Sequence, residues 1–397
     1  MPMPRTVSLM PCAGINNFCD ERHPVYSPAA DGSKRVAVRA ATNFDLTNDG
    51  RLVVRSGQSE RSALVAGEGG FEVDGRFLHQ EDGTLYEGAS ALVAGLTRRA
   101  SVFGHAGMIY VTDGVTHKEI DGSTVRNWGL PVPTLSLAAV AGDLPAGVYH
   151  VQASFSDART NEGGACKLYA ITLNGSQDIR VTVGNSNSDV AKVNLFAGIA
   201  NQRQTSFVTQ ITLGQSPYTI TNVVVSERDP PRTRKMSGPW SGIKGAFSWR
   251  AFVMAWRDNV VVRSEAQEPH LFHADSIYPF GADVTAGEGL ISGFYVGTEQ
   301  GLHWVSGDDP GKLIPEQKTF APIFQGSMLT DAKYIPKLQS SGAVALFVSA
   351  DGVLAGLAGG VVANLTSERY VFSSGSRASF TYAERRDALR QFFIAVT

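Results

Sequence analysis

The chain has 397 residues, with 35 Lys and Arg against 37 Asp and Glu, a formal net charge of −2. Such a balance supplies no global field for nucleic acid or an anionic membrane surface, and the length provides for a large core and more than one compact unit. The 42 glycines sit at turn-like positions rather than in one tract, which excludes a flexible low-complexity protein and points to an all-β chain.

Residues 1–36 carry Pro2, Pro4, Pro11, Pro24 and Pro28 and no regular periodicity, so an extended N-terminal arm is expected, lying on a neighbour or on the domain's own edge. Its start, Met1-Pro-Met-Pro-Arg-Thr6, lacks the apolar core of a signal peptide. Cys12, Cys19 and Cys166 form an odd set with no paired framework, the pattern of a reducing compartment, and Cys12 with Cys19 finds no second pair for zinc.

Over 37–133 the first part of a β-propeller is expected. It opens with a hairpin around Asn48-Asp49-Gly50. Asp45-x-Thr47-x-Asp49-Gly50 matches the start of an EF-hand loop, but the twelfth position is Ser56 and the flanks read as strands, so a plain turn is preferred to calcium. Asp74-Gly75 and Asp82-Gly83 then recur 39 residues later (113 − 74 = 39) as Asp113-Gly114 and Asp121-Gly122. Asp-Gly suits a type I′ hairpin, because both central residues need positive φ. A repeat near 40 residues with several short strands per unit is the spacing of propeller blades.

The beat stops over 134–226. An alternating strand at 147–157, the polar loop 158–164 and further short strands to 225 predict an inserted immunoglobulin- or fibronectin-like β-sandwich, hinged at Pro131, Pro133 and Pro230-Pro231. Over 227–397 the blade pattern resumes. Hairpins are expected at 252–264, 293–305 and 344–357, the turns return at Asp351-Gly352 and Gly359-Gly360, and a last strand spans 391–396. The whole is an all-β fold, a propeller of about six or seven blades interrupted by the sandwich. Residues 342–365 are apolar-rich, but Asp351 and the glycines break them, which rejects a membrane span.

No catalytic, cofactor-binding or metal residue is assigned. His270 and His273 are spaced for a helix, not for this Pro-flanked segment, and read as structural or rim histidines. Asp308-Asp309 are neighbours on a turn, whereas a glycosidase needs opposed carboxyls, and Ser349-Ala-Asp-Gly352 only touches the sialidase-type turn pattern. Arg228, Arg232, Arg234 and Lys235 with Trp240 read as a solvated linker face rather than a nucleic-acid grip, since the rest of the chain is not basic. Trp240, Trp249, Trp256 and Trp304 read as anchors between blades rather than a ligand cage.

The stretch Arg39-Ala-Ala-Thr-Asn-Phe-Asp-Leu-Thr-Asn-Asp-Gly-Arg-Leu-Val-Val-Arg-Ser-Gly57 resembles the opening hairpin of tailed-bacteriophage virion proteins of the tail hub or nozzle-type β-propeller family. Trp128-Gly-Leu-Pro-Val-Pro133, the segment 261–270, Tyr295-Val-Gly-Thr298 and Gly359-Gly-Val-Val-Ala-Asn-Leu-Thr366 are similar to later segments of that family, in the same order. The resemblance implies a non-enzymatic structural part of a virion tail, assembled in the host cytoplasm without membrane insertion or cofactor. It implies a homo-oligomer in a symmetric assembly, bound to other tail proteins through residues 1–36, the rim loops and the sandwich loop 158–164, with indirect contact to passing DNA. The alternatives from the residues themselves are a carbohydrate-binding or glycan-cleaving propeller and a cytosolic scaffold.

Overall fold

The computed structural model describes residues 69–223, 230–307, 309–335, 338, 340–366, 371–372, 377–384 and 390–396, together with five short strands inside 12–54. Two short 3-10 turns, Leu213–Gln215 and Ala332–Tyr334, stand among the strands, and there is no α-helix among the described residues. The chain is all-β, built from several antiparallel sheets. It divides into two compact units, 68–284 and a second made of 1–67 with 285–397.

In the first unit, Gly69–Val73, Arg76–Glu81, Thr84–Glu87 and Ser90–Val93 pair in sequence order as one antiparallel sheet. Ser101–His105, Met108–Thr112, His117–Asp121 and Thr124–Asn127 form the next. The segments that carry the paired Asp-Gly turns are thus one sheet each. In the first sheet both turns are two-residue loops with positive φ throughout, 51° and 75° at Asp74-Gly75, 46° and 67° at Asp82-Gly83. This is type I′ geometry, which matches strand twist.

The second pair departs from that expectation. Thr112 pairs with His117, so Asp113-Gly114 sits in a four-residue loop, where Gly114 takes the left-handed conformation (φ 95°). Asp113 acts through its buried carboxylate, which accepts the amides of Thr97 (2.6 Å), Val115 (2.9 Å) and Thr116 (2.6 Å) and the Thr97 hydroxyl (2.9 Å). Asp121 is already a strand residue paired with Thr124, which leaves Gly122 (φ 58°) to open the turn. One dipeptide therefore serves three loop types, because a short carboxylate can either sit in the turn or cap it.

The third meander, Gly245–Trp249, Phe252–Arg257, Val260–Glu265 and Glu268–Pro279, has Met236–Ser237 added along its last strand. Alternate residues of one strand feed two different cores. Ile109 and Val111 pack with Leu78, Leu85 and Val93 of the first sheet, while Tyr110 packs with Phe103, Trp128, Val253 and Phe272 toward the third. First strands lie side by side: the Ala246 amide donates to Ser101 Oγ at 3.4 Å, and His105 Nδ1 lies 2.8 Å from Ser248 Oγ.

Between the second and third sheets, seven strands make two further sheets. Thr134–Leu144, Gln177–Gly184 and Tyr218–Ile220 form one, and Tyr169–Leu173, Gly147–Ser156, Lys192–Ala197 and Ser206–Thr212 the other. Tyr149, Val151, Ala153 and Phe155, alternate residues of one strand, meet Leu135, Ile179, Val181 and Ile220 of the facing sheet in a common core. Strand periodicity dictates that the intervening residues face the other way, and there Gln152 and Ser154 are buried through hydrogen bonds.

In the second unit, Val284–Leu290, Gly293–Thr298, Gly301–Ser306 and Ile314–Gln317 form one sheet, and Met328–Asp331, Ala343–Ser349, Gly352–Gly356 and Val362–Asn364 another. Ala345 and Phe347 pack with Tyr295 and Trp304 of the preceding sheet, whereas Val344 and Leu346 pack on the other side with Phe380 of the last hairpin, Ala378–Glu384 with Arg390–Val396. Within residues 1–36, expected to be an irregular arm, Cys12–Ile15 and Tyr26–Pro28 flank Lys34–Val38 in a three-stranded sheet. Pro28 ends an edge strand, where its missing N–H is tolerated, so proline content did not preclude pairing. Phe44–Leu46 pairs with Leu52–Val54, and the turn between them, with Thr47, Asp49 and Gly50, lies outside the described residues.

Trp128 is the hinge of the aromatic core, 5.1 Å from Tyr110, 5.7 Å from Phe103 and 5.8 Å from Phe272 by ring centroids, with its indole N–H donated to the Pro269 carbonyl at 2.9 Å. Trp128→Ala is expected to lower the unfolding free energy by about 3–5 kcal/mol in urea titration. Asp113→Ala is expected to cost about 2–4 kcal/mol, since it orphans three amides of two loops. Burial alone would raise the Asp113 pKa, but the amides of Thr97, Thr116 and Val115 hold it below the usual carboxylate range. Its contribution is therefore present above the unfolded carboxyl value and lost as pH falls below it, so the wild-type advantage over Asp113→Ala should shrink in acid.

Candidate functional site

A group of ionisable side chains, Glu119, Arg126, Asp157, Arg159, Asp189 and His270, lines a cleft where the 134–220 module meets the 101–127 sheet. Glu119 stands on the third strand of that sheet, 4% exposed. Asp157 follows the strand Gly147–Ser156 directly and organises the loop after it. Its Oδ1 accepts the amides of Arg159 (2.9 Å) and Asn161 (2.8 Å), and its Oδ2 accepts Asn161 Nδ2 at 3.0 Å. Asp-x-Arg-x-Asn is thus a local carboxylate-closed loop that delivers one guanidinium. Arg159 Nε donates to Asp157 Oδ2 at 3.2 Å and Nη2 donates to Glu119 Oε1.

Burial pushes the Glu119 carboxyl up, and Asp157 adds to this, while Arg159 only partly offsets it. Arg159 itself is held firmly charged, its burial outweighed by the two carboxylates. The pair is therefore costly to desolvate and costlier to break. The same cleft holds a second polar tie, where Asp189 accepts both the backbone amide (2.9 Å) and the side-chain amide (2.7 Å) of Asn127. His270, 9% exposed, closes the floor with Nε2 3.2 Å from the Glu162 carbonyl, and burial pulls its pKa down.

The loop 158–164 is therefore committed to internal contacts through most of its length. Ser154 donates to Glu162 Oε1, and the Gly163 amide donates to the Phe155 carbonyl at 2.8 Å. A Cβ on Gly164 would stand 1.9 Å from the Met236 carbonyl oxygen, so only glycine permits the close approach that brings Ala165 N to Thr233 O at 3.1 Å. Residues 158–160 keep an exposed crest.

The other sequence candidates are scattered. His270 and His273 occupy one strand at a three-residue spacing, hence opposite faces, and do not converge. Asp309 caps the Gly311 amide at 2.8 Å, and Asp308 lies outside the described residues. Asp351 offers its carbonyl to Asn364 Nδ2 at 2.8 Å, while Ser349 Oγ reaches its own hairpin. Arg232 pairs with Glu268 at 2.5 Å and Lys235 with Asp275 at 3.2 Å, so part of the basic run is locally neutralised; Arg228 lies outside the described residues. Trp240 stacks under Arg257 at 5.5 Å. Cys12 begins a strand, Cys19 lies outside the described residues, and Cys166 is buried with Sγ accepting the Ala153 amide at 3.1 Å. No group of three or more His, Cys, Asp or Glu that could hold a metal occurs among the described residues. No described helix is long and apolar enough to cross a membrane.

Glu119 and Asp157 share a single guanidinium, which fits a brace between modules. A glycoside-cleaving pair would instead stand on two sides of a bond. Glu119, Asn127 and Asp189 gave no sequence signal, because their partners lie 40 to 62 residues away.

No protein-family model matches this chain, and no curated protein matches it. Among solved structures it is similar to a crystal structure of Saccharomyces cerevisiae Sqt1, at 8% identity over 69% of this chain and 90% of that one, with a TM-score of 0.20. A likeness of that size carries no argument.

Arg159→Ala takes the guanidinium from two poorly solvated carboxylates, of which Asp157 keeps its loop hydrogen bonds, and is expected to cost about 2–4 kcal/mol, the partial exposure of the guanidinium keeping it below the fully buried case. Glu119 with a raised pKa contributes stability at low pH that is lost as pH rises through its folded value. The penalty of Arg159→Ala should therefore grow from pH 4 to pH 7, and adding Glu119→Gln should recover part of it at pH 7.

Proposed function

We propose that the four-stranded meanders are blades of a β-propeller, that the 134–220 module is an immunoglobulin- or fibronectin-like sandwich inserted between two of them, and that the protein is a structural component of a tailed-phage tail. Three features support the blades: strands in sequence order, first strands side by side, and alternate residues of the second strands feeding cores on both faces. In the sandwich the last strand pairs with the fourth rather than joining the sheet of the fifth and sixth.

The observation that carries the docking role is a set of exposed apolar tips in the 285–397 unit. Ile291 is 84% exposed, Ile314 72% and Val361 61%. Cross-strand register places Gly293, Ser306 and Ile314 at one end of their sheet, and the Gly359 amide donates to Ser292 Oγ at 3.1 Å, bringing the Val361 turn to that same end. Large apolar residues grouped in solvent mark an interaction surface. Other tail proteins, with copies of this chain in a symmetric assembly in the virion, are the partners this reading assigns, and a non-enzymatic part is its class.

Mass spectrometry of gradient-purified particles should find the chain at a fixed copy number, and finding it only in the soluble fraction sinks the reading. Ile291→Asp, Ile314→Asp and Val361→Asp together should shift unfolding by no more than about 0.5 kcal/mol per site while removing the protein from particles. Incorporation that persists would discard this surface but not the tail assignment.

A further inference from the structure

Glu288 lies mid-strand in Val284–Leu290, the first strand of its sheet, between Gly287 and Gly289. Part of its surface stays open, although the side chain is densely surrounded. Ser327, immediately before the first strand of the next sheet, places its Oγ 3.1 Å from the Gly287 carbonyl and 2.9 Å from Glu288 Oε1. A serine hydroxyl has one proton to give. If it goes to the Gly287 carbonyl, the contact with Glu288 is a hydrogen bond only when the carboxyl carries a proton of its own.

The surroundings favour that state. Burial pushes the Glu288 carboxyl up to about 7, with the Ser327 hydroxyl pulling the other way. Tyr295, on the neighbouring strand, donates its hydroxyl toward the carbonyls of Leu357 and Val361, Asp331 caps the Lys333 amide, and Arg377 is an exposed residue whose backbone bridges to Gln325. None of them is among the causes of the shift. In the other unit, His105 and Ser248 join first strands in the same manner.

We propose that Glu288 is a proton-operated latch between the first strands of two neighbouring sheets. As a neutral acid it donates to Ser327 Oγ, which donates on to the Gly287 carbonyl. On ionisation the Ser327 hydroxyl turns to donate its hydrogen bond to the carboxylate, and the Gly287 carbonyl loses that donor. The one covalent bond that breaks is the O–H of the Glu288 carboxyl, whose proton leaves to solvent through the open side of the carboxyl.

The test compares wild type, Glu288→Gln and Ser327→Ala by thermal unfolding, by amide exchange over 328–331, and by carbon-detected titration of the Glu288 carboxyl. Glutamine donates at every pH and holds the latch closed. A folded pKa above the unfolded one gives stability that is complete below the unfolded value and disappears as pH rises through about 7. Wild type and Glu288→Gln should therefore match near pH 5. By pH 8 the wild-type folding constant should be lower by about ten- to a hundred-fold, and its exchange over 328–331, taken relative to Glu288→Gln, higher. Ser327→Ala should exchange fast at both pH values, with no step. A carboxyl titrating in the ordinary range, parallel pH profiles for wild type and Glu288→Gln, or a pH step in local exchange over 328–331 that survives Ser327→Ala would each overturn the latch. The last result would leave Glu288 as a merely buried acid. The step in global stability that burial of the carboxyl causes is expected to remain in Ser327→Ala. The carboxyl titration needs only wild-type protein, so the proposal can be judged even if a variant does not fold.

Discussion

The structure depends on burying both faces of its second strands. In Phe252–Arg257, Gly293–Thr298 and Ala343–Ser349 nearly every residue is withdrawn from water, and Met108–Thr112 is close behind. Side chains alternate across a strand, so a strand with no exposed face needs apolar material on both sides. A solitary antiparallel sheet with one wet face cannot provide it. Tyr110 looks toward one core while Ile109 and Val111 look toward another, and Phe347 and Leu346 divide in the same way. Sheets are in this sense completed by their neighbours, which is why meanders of mostly short strands, three to seven residues long except for the twelve of Glu268–Pro279, hold together at all.

The 134–220 module is held differently. Its core is a two-sheet interior of alternating residues, but its junction with the 101–127 sheet is polar: Arg159 between Glu119 and Asp157, Asp189 on Asn127, and Glu162 over His270. Polar ties cost desolvation and return directional geometry. A module attached in this way has a set orientation, where an apolar contact alone would tolerate sliding. The Gly163-Gly164 pair lets backbone approach backbone at the same junction.

Hydroxyl groups recur at several strand turns and where first strands meet. Thr298 and Ser349 each hold the carbonyl of a glycine in their own hairpin, Thr112 reaches Ile243, and Ser327 spans Gly287 and Glu288. A single proton shared among several acceptors makes such sites sensitive to the protonation of a neighbour, and Glu288, His105, His117 and His303 are such neighbours among the described residues.

The sequence by itself determined the all-β class, the two turn-bearing segments that became one sheet each, and the change of pattern at 134. All three rest on local physics: glycine and aspartate in tight turns, apolar runs for two-faced strands, and alternation for the module between them. It misjudged residues 1–36, because proline was weighed without knowing which strand would be an edge, and it assigned one turn type to Asp-Gly pairs that adopt three. Only the tertiary structure decided which charges meet. Glu119 finds Arg159 across 40 residues, and Glu288 finds Ser327 across 39. Spacing along the chain carries no signal for such pairs, because their distance is set by how whole sheets pack.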